Sequence, residues 1–480
     1  MKKTIIITII ILIILGGGYL TYSQLIKDDP TENTKTTDVA KNTNSKPKLV
    51  ITWDPANELT HLSQVDVSTE QAYFFRGGWF WWNAVEEKEG TYNWDSFDEQ
   101  ITRFQDSGAM VLPVIFPYTN WDQEACHPEE KYIAVFDPKK GGKVKVGAPC
   151  DLTAYADFLA ATVERYDGDG VDDMPGLVIP IKYWEIMNEP VMQGGGTGGM
   201  GEELKFFVGT SAEYLEILQT SYQTIKQADP EAQVLHAGMA SLAAEHTDFW
   251  DPIFQAGAGD YFDIANIHTI STDSRREDLY MVKAKEYFKK YGLEEKPIWI
   301  TEVQFGELAD RPADIEEFDQ LVARASVLAL AQGAERLFYI ENWLFWNDIR
   351  EELDKDKESS QGGSASGGED KKKEEFKEIA DDNTTHQVYL NLVDKINSFD
   401  SVTIINQELE ENFNDHDGVT SLVGQYAFDT GNDTIYVLWG QADLPAAISG
   451  TIKVTDIYGQ AQTMEADQLV LTDSPVFVEL

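Results

Sequence analysis

Short apolar runs alternate with amphipathic stretches along most of the chain. Eight runs have strand character: Leu49 to Trp53, Tyr73 to Trp79, Met110 to Phe116, Ile181 to Met187, Gln233 to Ala237, Phe262 to His268, Ile298 to Val303 and Arg336 to Ile340. Helical periodicity follows most of them, over Trp94 to Phe104, Thr153 to Tyr166, Ala212 to Gln227, Asp314 to Ala334 and His386 to Ile396. Eight such units predict an α/β fold, a (β/α)8 TIM barrel over residues 48–402, in preference to an open doubly wound sheet. A dinucleotide-binding sheet would carry Gly-x-Gly-x-x-Gly at its first turn, and the chain has no such string.

Beyond Ser401 the period shortens. Gln425 to Phe428, Thr434 to Trp439, Thr451 to Asp456 and Val476 to Glu479 alternate in strand fashion between turn-rich segments, which predicts a small all-β sandwich domain over 403–480. Residues 351–378 are mixed-charge runs around a Ser/Gly stretch and read as a low-complexity surface insertion in the barrel. Lys27 to Pro47 is polar, with balanced charge, and reads as a disordered tether.

The first 26 residues place the rest. Met1-Lys2-Lys3 precedes an aliphatic run from Thr4 to Leu15, then three glycines, Tyr19 and Leu20. The run suits a cleaved signal peptide, or an uncleaved transmembrane anchor if the glycines and Tyr19 are counted. Either way the cationic start stays inside, so the chain beyond it is expected outside the cytoplasm, secreted or membrane-anchored by its N-terminus.

Charge narrows the partners. Against 38 Lys and Arg stand 83 Asp and Glu, a net charge of −45, which repels phosphate backbones and anionic lipid headgroups. No nucleic-acid partner is expected, and membrane contact only through the N-terminal segment. Two cysteines exclude a four-Cys zinc site, and neither His-Glu-x-x-His nor a phosphate-binding Gly-x-x-x-x-Gly-Lys-Ser/Thr loop occurs.

In a barrel the chemistry sits at the C-terminal ends of the strands. Strand four ends Tyr183-Trp184-Glu185-Ile186-Met187-Asn188-Glu189-Pro190, and strand seven ends Ile298-Trp299-Ile300-Thr301-Glu302-Val303. Strands four and seven face each other across a barrel. Glu189 and Glu302 therefore form a candidate carboxylate pair of the kind that cleaves glycosidic bonds, one a proton donor and the other a nucleophile.

On these residues the chain resembles the clan A retaining glycoside hydrolases, the (β/α)8 group of cellulases, β-mannanases and β-xylosidases, over residues 48–402, and its terminal β-domain is similar to accessory domains found there. The resemblance implies that Glu189 is the acid/base and Glu302 the nucleophile, that Asn188 bonds a sugar hydroxyl, and that Arg76 in Arg76-Gly77-Gly78-Trp79 holds the nucleophile ionised. It assigns His268 of Asn266-Ile267-His268-Thr269-Ile270 to the site and Trp343 to its aromatic floor. Ile270 stands where many clan members have a Tyr touching the nucleophile, and Tyr339 is a candidate substitute. The implied activity is hydrolysis of β-linked bonds in a poly- or oligosaccharide by double displacement, with no metal or organic cofactor. The alternative is a non-catalytic carbohydrate-binding surface protein on the same barrel.

Three further features have partly structural readings. Trp79, Trp81, Trp82, Tyr118 and Trp121 lie at or beyond strands two and three, some as core and some, Trp79 and Trp121 foremost, as sugar-stacking platforms. Cys126 and Cys150 share one long connection, and outside the cytoplasm they are expected to form a disulfide. Asp167, Asp169, Asp172 and Asp173 alternate like a calcium loop, on the barrel face away from the chemistry, so any ion there would be structural.

Overall fold

The computed structural model describes residues 49–52, 73–106, 109–130, 133–134, 143–191, 206–272, 276–305, 315–340, 384–411 and 418–480. Eight parallel strands form the barrel: β1 (Leu49–Thr52), β2 (Tyr73–Trp81), β3 (Ala109–Phe116), β4 (Tyr183–Ile186), β5 (Gln233–His236), β6 (Ala265–Thr272), β7 (Ile298–Phe305) and β8 (Ala334–Ile340). Their pairing order is β5-β4-β3-β2-β1-β8-β7-β6. Bridges from Leu235 to Ile264 and from Met239 to Ile267 close the ring between β5 and β6. All eight expected strands are present, within a few residues of their expected limits.

The helices between them are α1 (Asp95–Asp106), α2 (Asn120–Cys126), α3 (Leu152–Tyr166), α4 (Ser211–Ala228), α5 (Ala244–Gln255), α6 (Met281–Lys289), α7 (Ile315–Ala331) and α8 (Thr384–Ile396). Local chemistry starts several of them. Asp151 caps α3 by accepting from the Thr153 and Ala154 amides, and Thr210 with Glu213 forms a reciprocal capping box on α4.

Leu112, Leu235, Ile264, Trp299 and Phe338 come from or next to five different strands and form one buried cluster. Residues so distributed meet only inside the ring, so this cluster fills the lumen beneath the site. The Arg336 guanidinium lies 4.6 Å from the Trp299 ring centre. Stacking against flat aromatic faces lets a charged group enter that apolar layer.

Two strands are bulged where chemistry is expected. Between Arg76↔Leu112 and Trp79↔Val114, β2 holds one residue more than β3, at Gly77-Gly78. In β7 the pairing steps from Ile267↔Ile300 to His268↔Glu302, so Thr301 is the extra residue. A bulge re-aims neighbouring side chains, and here it brings both Thr301 and Glu302 to partners above the lumen.

A β-sandwich domain follows the barrel. Its strands β9 (Ser401–Glu411), β10 (Val419–Asp429), β11 (Thr434–Trp439), β12 (Thr451–Thr455), β13 (Ala461–Glu465) and β14 (Val476–Glu479) pair antiparallel in the order β9-β10-β11-β14-β12-β13. Alternate residues of β11 serve opposite faces: Ile435, Val437 and Trp439 join the core shared with the barrel, while Tyr436 and Leu438 join a separate cluster with Ile448, Ile452 and Val454. Helix α7 lies between barrel and sandwich and is buried on nearly every side from Phe318 onward, as a helix covered on both faces must be.

Hydrogen bonds tie the two parts at the loop after β6. Glu277 accepts from the Ser421 amide (2.8 Å) and from Arg324 (2.9 Å), while Arg324 also donates to the Asp473 carbonyl (2.8 Å).

The expectation of a transmembrane protein is corrected: among the described residues no helix is long and apolar enough to cross a membrane. The apolar run from Thr4 to Leu15, the tether and the 351–378 insertion lie outside the described residues.

Candidate active site

Arg76, four residues into β2, is the centre of the site. It is buried, and its guanidinium donates from Nε and Nη2 to both oxygens of Glu185 (2.6 and 2.8 Å), from Nη1 to Glu302 Oε1 (2.5 Å), and from Nη2 to Asn188 Oδ1 (2.7 Å). One planar fork thus fixes the position of two carboxylates and an amide from two opposite strands. Burial lowers the Arg76 pKa, but the facing charges of Glu185 and then Glu302 outweigh it and raise the pKa overall.

Glu185 is fully buried on β4. Sequence reasoning reads it only as part of the strand, although its place four residues before Glu189 on an inward-facing strand marks it as a group needing a cation. Because β4 ends at Ile186, Met187, Asn188 and Glu189 form the turn that leaves it. Met187 (φ 70°) and Glu189 (φ 35°) have left-handed backbone, a conformation that costs on the order of 1–3 kcal/mol for a residue with a side chain. Contacts hold the turn in place. The Met187 amide donates to the Ile115 carbonyl (3.0 Å), and the Glu189 carboxylate meets His268.

His268, fully buried on β6, joins the two catalytic candidates. Its Nδ1 lies 2.7 Å from Glu189 Oε1 and 3.7 Å from Glu302 Oε2, and its Nε2 lies 2.9 Å from Thr301 Oγ1. One oxygen of Glu189, one of Glu302 and a ring nitrogen of His268 all lie within 4.8 Å of one another. Glu302 keeps 15% side-chain exposure, the most open of the three. Burial pushes its carboxyl up, but the charges of His268 and Arg76 and the Arg76 hydrogen bond more than offset this and hold it below the usual carboxylate range. Burial likewise pushes His268 down, and the charge of Glu302 with the contact to Glu189 raises it overall.

Arg76, Asn188, Glu189, His268 and Glu302 therefore meet in one cluster, together with Glu185 and Thr301. The described aromatic residues after β2 make other contacts. Trp81 stacks flat on Phe116 at 4.0 Å, and Trp82 and Tyr118 are fully buried. Trp121 is half-buried, with its indole N–H on the Glu86 carbonyl (3.0 Å) and its ring edge-on to Trp82 at 5.3 Å. These are packing contacts. Trp79 lies in β2, and Trp343 lies outside the described residues. Tyr339 does not replace the Tyr missing at Ile270: it is buried with its hydroxyl 2.5 Å from Ser326 of α7, on the outer side of the barrel. His268 Nδ1 stands 3.7 Å from Glu302 Oε2, the oxygen that Arg76 does not hold.

Away from the chemistry, Cys126 and Cys150 are bonded at 2.03 Å. Oxygens of Asp167, Asp169 and Asp173 lie within 4.8 Å and could coordinate a cation; Asp172 is not in that group. Both Asp173 oxygens already accept amides, from Gly168 (3.0 Å) and Gly170 (2.8 Å).

No family model matches the chain, and no curated protein matches it. Solved structures do. A family 39 glycoside hydrolase from the gut symbiont Bacteroides cellulosilyticus WH2 is 14% identical, with a TM-score of 0.53 over 91% of this chain and 81% of that one. A family 30 endoxylanase from Clostridium papyrosolvens C71 is 13% identical, with a TM-score of 0.51 over 91% and 98%. The chain thus shares its overall fold with these two structures, at an identity that assigns it to no family.

Proposed function

We propose that the chain is a retaining glycoside hydrolase acting on β-linked poly- or oligosaccharides outside the cytoplasm. The observation that carries this reading is the spacing of Glu189 and Glu302, whose nearest oxygens lie within 4.8 Å. Retaining enzymes need carboxyl groups about 5–5.5 Å apart, whereas inverting enzymes leave room for a water at about 6.5–9.5 Å. In this reading Glu302, kept ionised by Arg76, attacks the anomeric carbon while Glu189 protonates the departing oxygen. The glycosyl ester on Glu302 is then cleaved by a water that gives its proton to Glu189. Asn188, with its oxygen held by Arg76, turns its amide hydrogens to the sugar.

The cationic start with its apolar run supports export, and the Cys126–Cys150 bond suits an oxidising compartment. We assign the tether to 27–47, the barrel to 48–400 and the accessory domain to 401–480, whose first strand starts two residues before the expected limit of 403, and a structural calcium ion to Asp167, Asp169 and Asp173.

The test pairs kinetics with stereochemistry on a panel of xylan, mannan and β-glucan oligosaccharides. The parent should release sugar whose first-formed anomer is β, seen by proton NMR, and Glu302→Gln should be at least about 10³-fold slower. Equal activity in parent and variant, or a first-formed α-anomer, overturns the reading.

A further inference from the structure

A chain of directed hydrogen bonds leads into the site from behind. The Asn266 side-chain amide donates to the His236 carbonyl (3.2 Å), which makes Asn266 Oδ1 the acceptor at its other end. The Thr301 hydroxyl donates to that Oδ1 (2.7 Å). A hydroxyl has one hydrogen, so toward His268 Nε2 at 2.9 Å the Thr301 oxygen can only accept. His268 Nε2 therefore carries a hydrogen.

From this we infer that Thr301 and Asn266 are positioning residues that lock His268 with a proton on Nε2 and so make the ring's charge a condition of catalysis. The inference rests on the glycosidase reading for its kinetic part only. With Nε2 occupied, a neutral His268 offers Nδ1 only as an acceptor. A proton on Glu189 is then drawn to Oε1, against His268 and away from substrate. Only the doubly protonated ring donates from Nδ1 to Glu189 Oε1 and leaves the carboxyl proton on Oε2, the oxygen free to protonate a leaving group.

The groups around His268 are consistent with a charged ring. Glu189 at the end of β4 and Glu302 on β7 face it, while Arg76 on β2 is engaged by Glu185 and Glu302. His236 on β5 takes no part in the proton exchange. It accepts the Asn266 backbone N–H at Nε2 (3.0 Å) and donates from Nδ1 to the Ala237 carbonyl (2.7 Å), which fixes it neutral. Gly238 adds no side chain. The lock also gives His268 the contact to the nucleophile side that Ile270 cannot make.

The isosteric change Thr301→Val removes the lock, and Thr301→Ser keeps it. With seven histidines in the chain, selective ¹⁵N-histidine labelling gives a readable NMR titration, with the His268 signal assigned by a His268→Gln variant. As pH rises, parent and Thr301→Ser should lose the Nδ1 proton and keep Nε2–H, while Thr301→Val should relax to the Nδ1–H form. In that variant a neutral ring still donates to Glu189, so one proton fewer is needed. The alkaline limb of its kcat/KM profile should therefore move up by on the order of one pH unit, with the limb of Thr301→Ser unmoved. A neutral Nδ1–H ring in the parent overturns the lock. A shifted NMR titration with an unmoved kinetic limb overturns its role in catalysis, and neither result depends on which glycan is cleaved.

Discussion

A side chain on Gly238 would collide with His268. A Cβ there would stand 2.0 Å from His268 Nε2, on the segment that closes the barrel between β5 and β6. The absence of a Cβ at Gly238 is what lets the imidazole reach both Glu189 and Thr301. Gly238→Ala should push the ring off this line, and a misplacement of about 1 Å in a catalytic group is enough to cost on the order of 10²-fold in rate. Overpacking should also lower stability by about 1–3 kcal/mol. Measuring kcat/KM beside urea unfolding separates the two: a variant as active as the parent shows that the ring position does not matter.

Arg76 makes a second prediction, because its four hydrogen bonds use the geometry of a guanidinium. A lysine brings one ammonium and cannot serve Glu185 bidentately while reaching Glu302 and Asn188. Arg76→Lys should cut kcat by roughly 10²- to 10³-fold, comparable to losing a preorganised charge contact. Glu185→Gln should instead be a stability variant in the first place, since removing one partner of a buried ion pair costs about 3–5 kcal/mol. Thermal unfolding and kinetics on both variants check this division.

How much of this is legible in the chain depends on alternation. The barrel strands stand out because parallel strands buried on both faces read as continuous apolar runs. The strand-end carboxylates follow from that frame, whereas Arg76 and His268 are reached through the resemblance to the clan A enzymes. Strand β9 does not stand out: nearly all its residues are exposed or half-buried, so no apolar alternation marks it. Thr301 is hidden for another reason. It is the extra residue of a bulge, so counting by twos along β7 sends it and Glu302 to opposite faces. The aromatic residues after β2 mislead in the opposite sense, because a Trp that stacks on sugar and a Trp that stacks on Phe116 have the same sequence signal. Glu277 and Arg324 pair across 47 positions and tie two domains, a relation that only the folded chain displays.

The bond between Cys126 and Cys150 spans 24 positions and closes the connection between β3 and α3. Its ends are tied again by Asp122, buried in α2, which accepts the amides of Cys150 and Asp151 at 2.9 Å each. For a loop of this length the entropy removed from the unfolded chain is worth about 3 kcal/mol. The double variant Cys126→Ser with Cys150→Ser should lose about that much in equilibrium denaturation, and reductant should destabilise the parent but not the variant. A parent insensitive to reductant under unfolding conditions would contradict the assignment.

The pH dependence of stability should carry two opposing slopes. His236 is fully buried, and burial pushes it down to about 3 from an ordinary value of 6.5. A depressed pKa means that the unfolded chain takes up the proton first, so His236 contributes stability above pH 6.5 that is lost as pH falls toward 3, on the order of 5 kcal/mol in all. Asp278, beside the sandwich domain, behaves in reverse. Burial raises it to about 6 from 3.8, against the lowering effect of the amides it accepts. Its contribution is complete below pH 3.8 and is lost as pH rises through about 6, roughly 3 kcal/mol. Between pH 4 and 6 the two partly cancel, so the parent's unfolding free energy should change less than either group alone dictates. His236→Gln should therefore expose the Asp278 slope, losing stability as pH rises from 4 to 6, and Asp278→Asn should expose the His236 slope, losing stability as pH falls over the same window. Urea denaturation of the three proteins at half-unit steps from pH 4 to 7.5 separates the slopes; a parent-minus-variant difference that stays constant with pH removes that group from the balance.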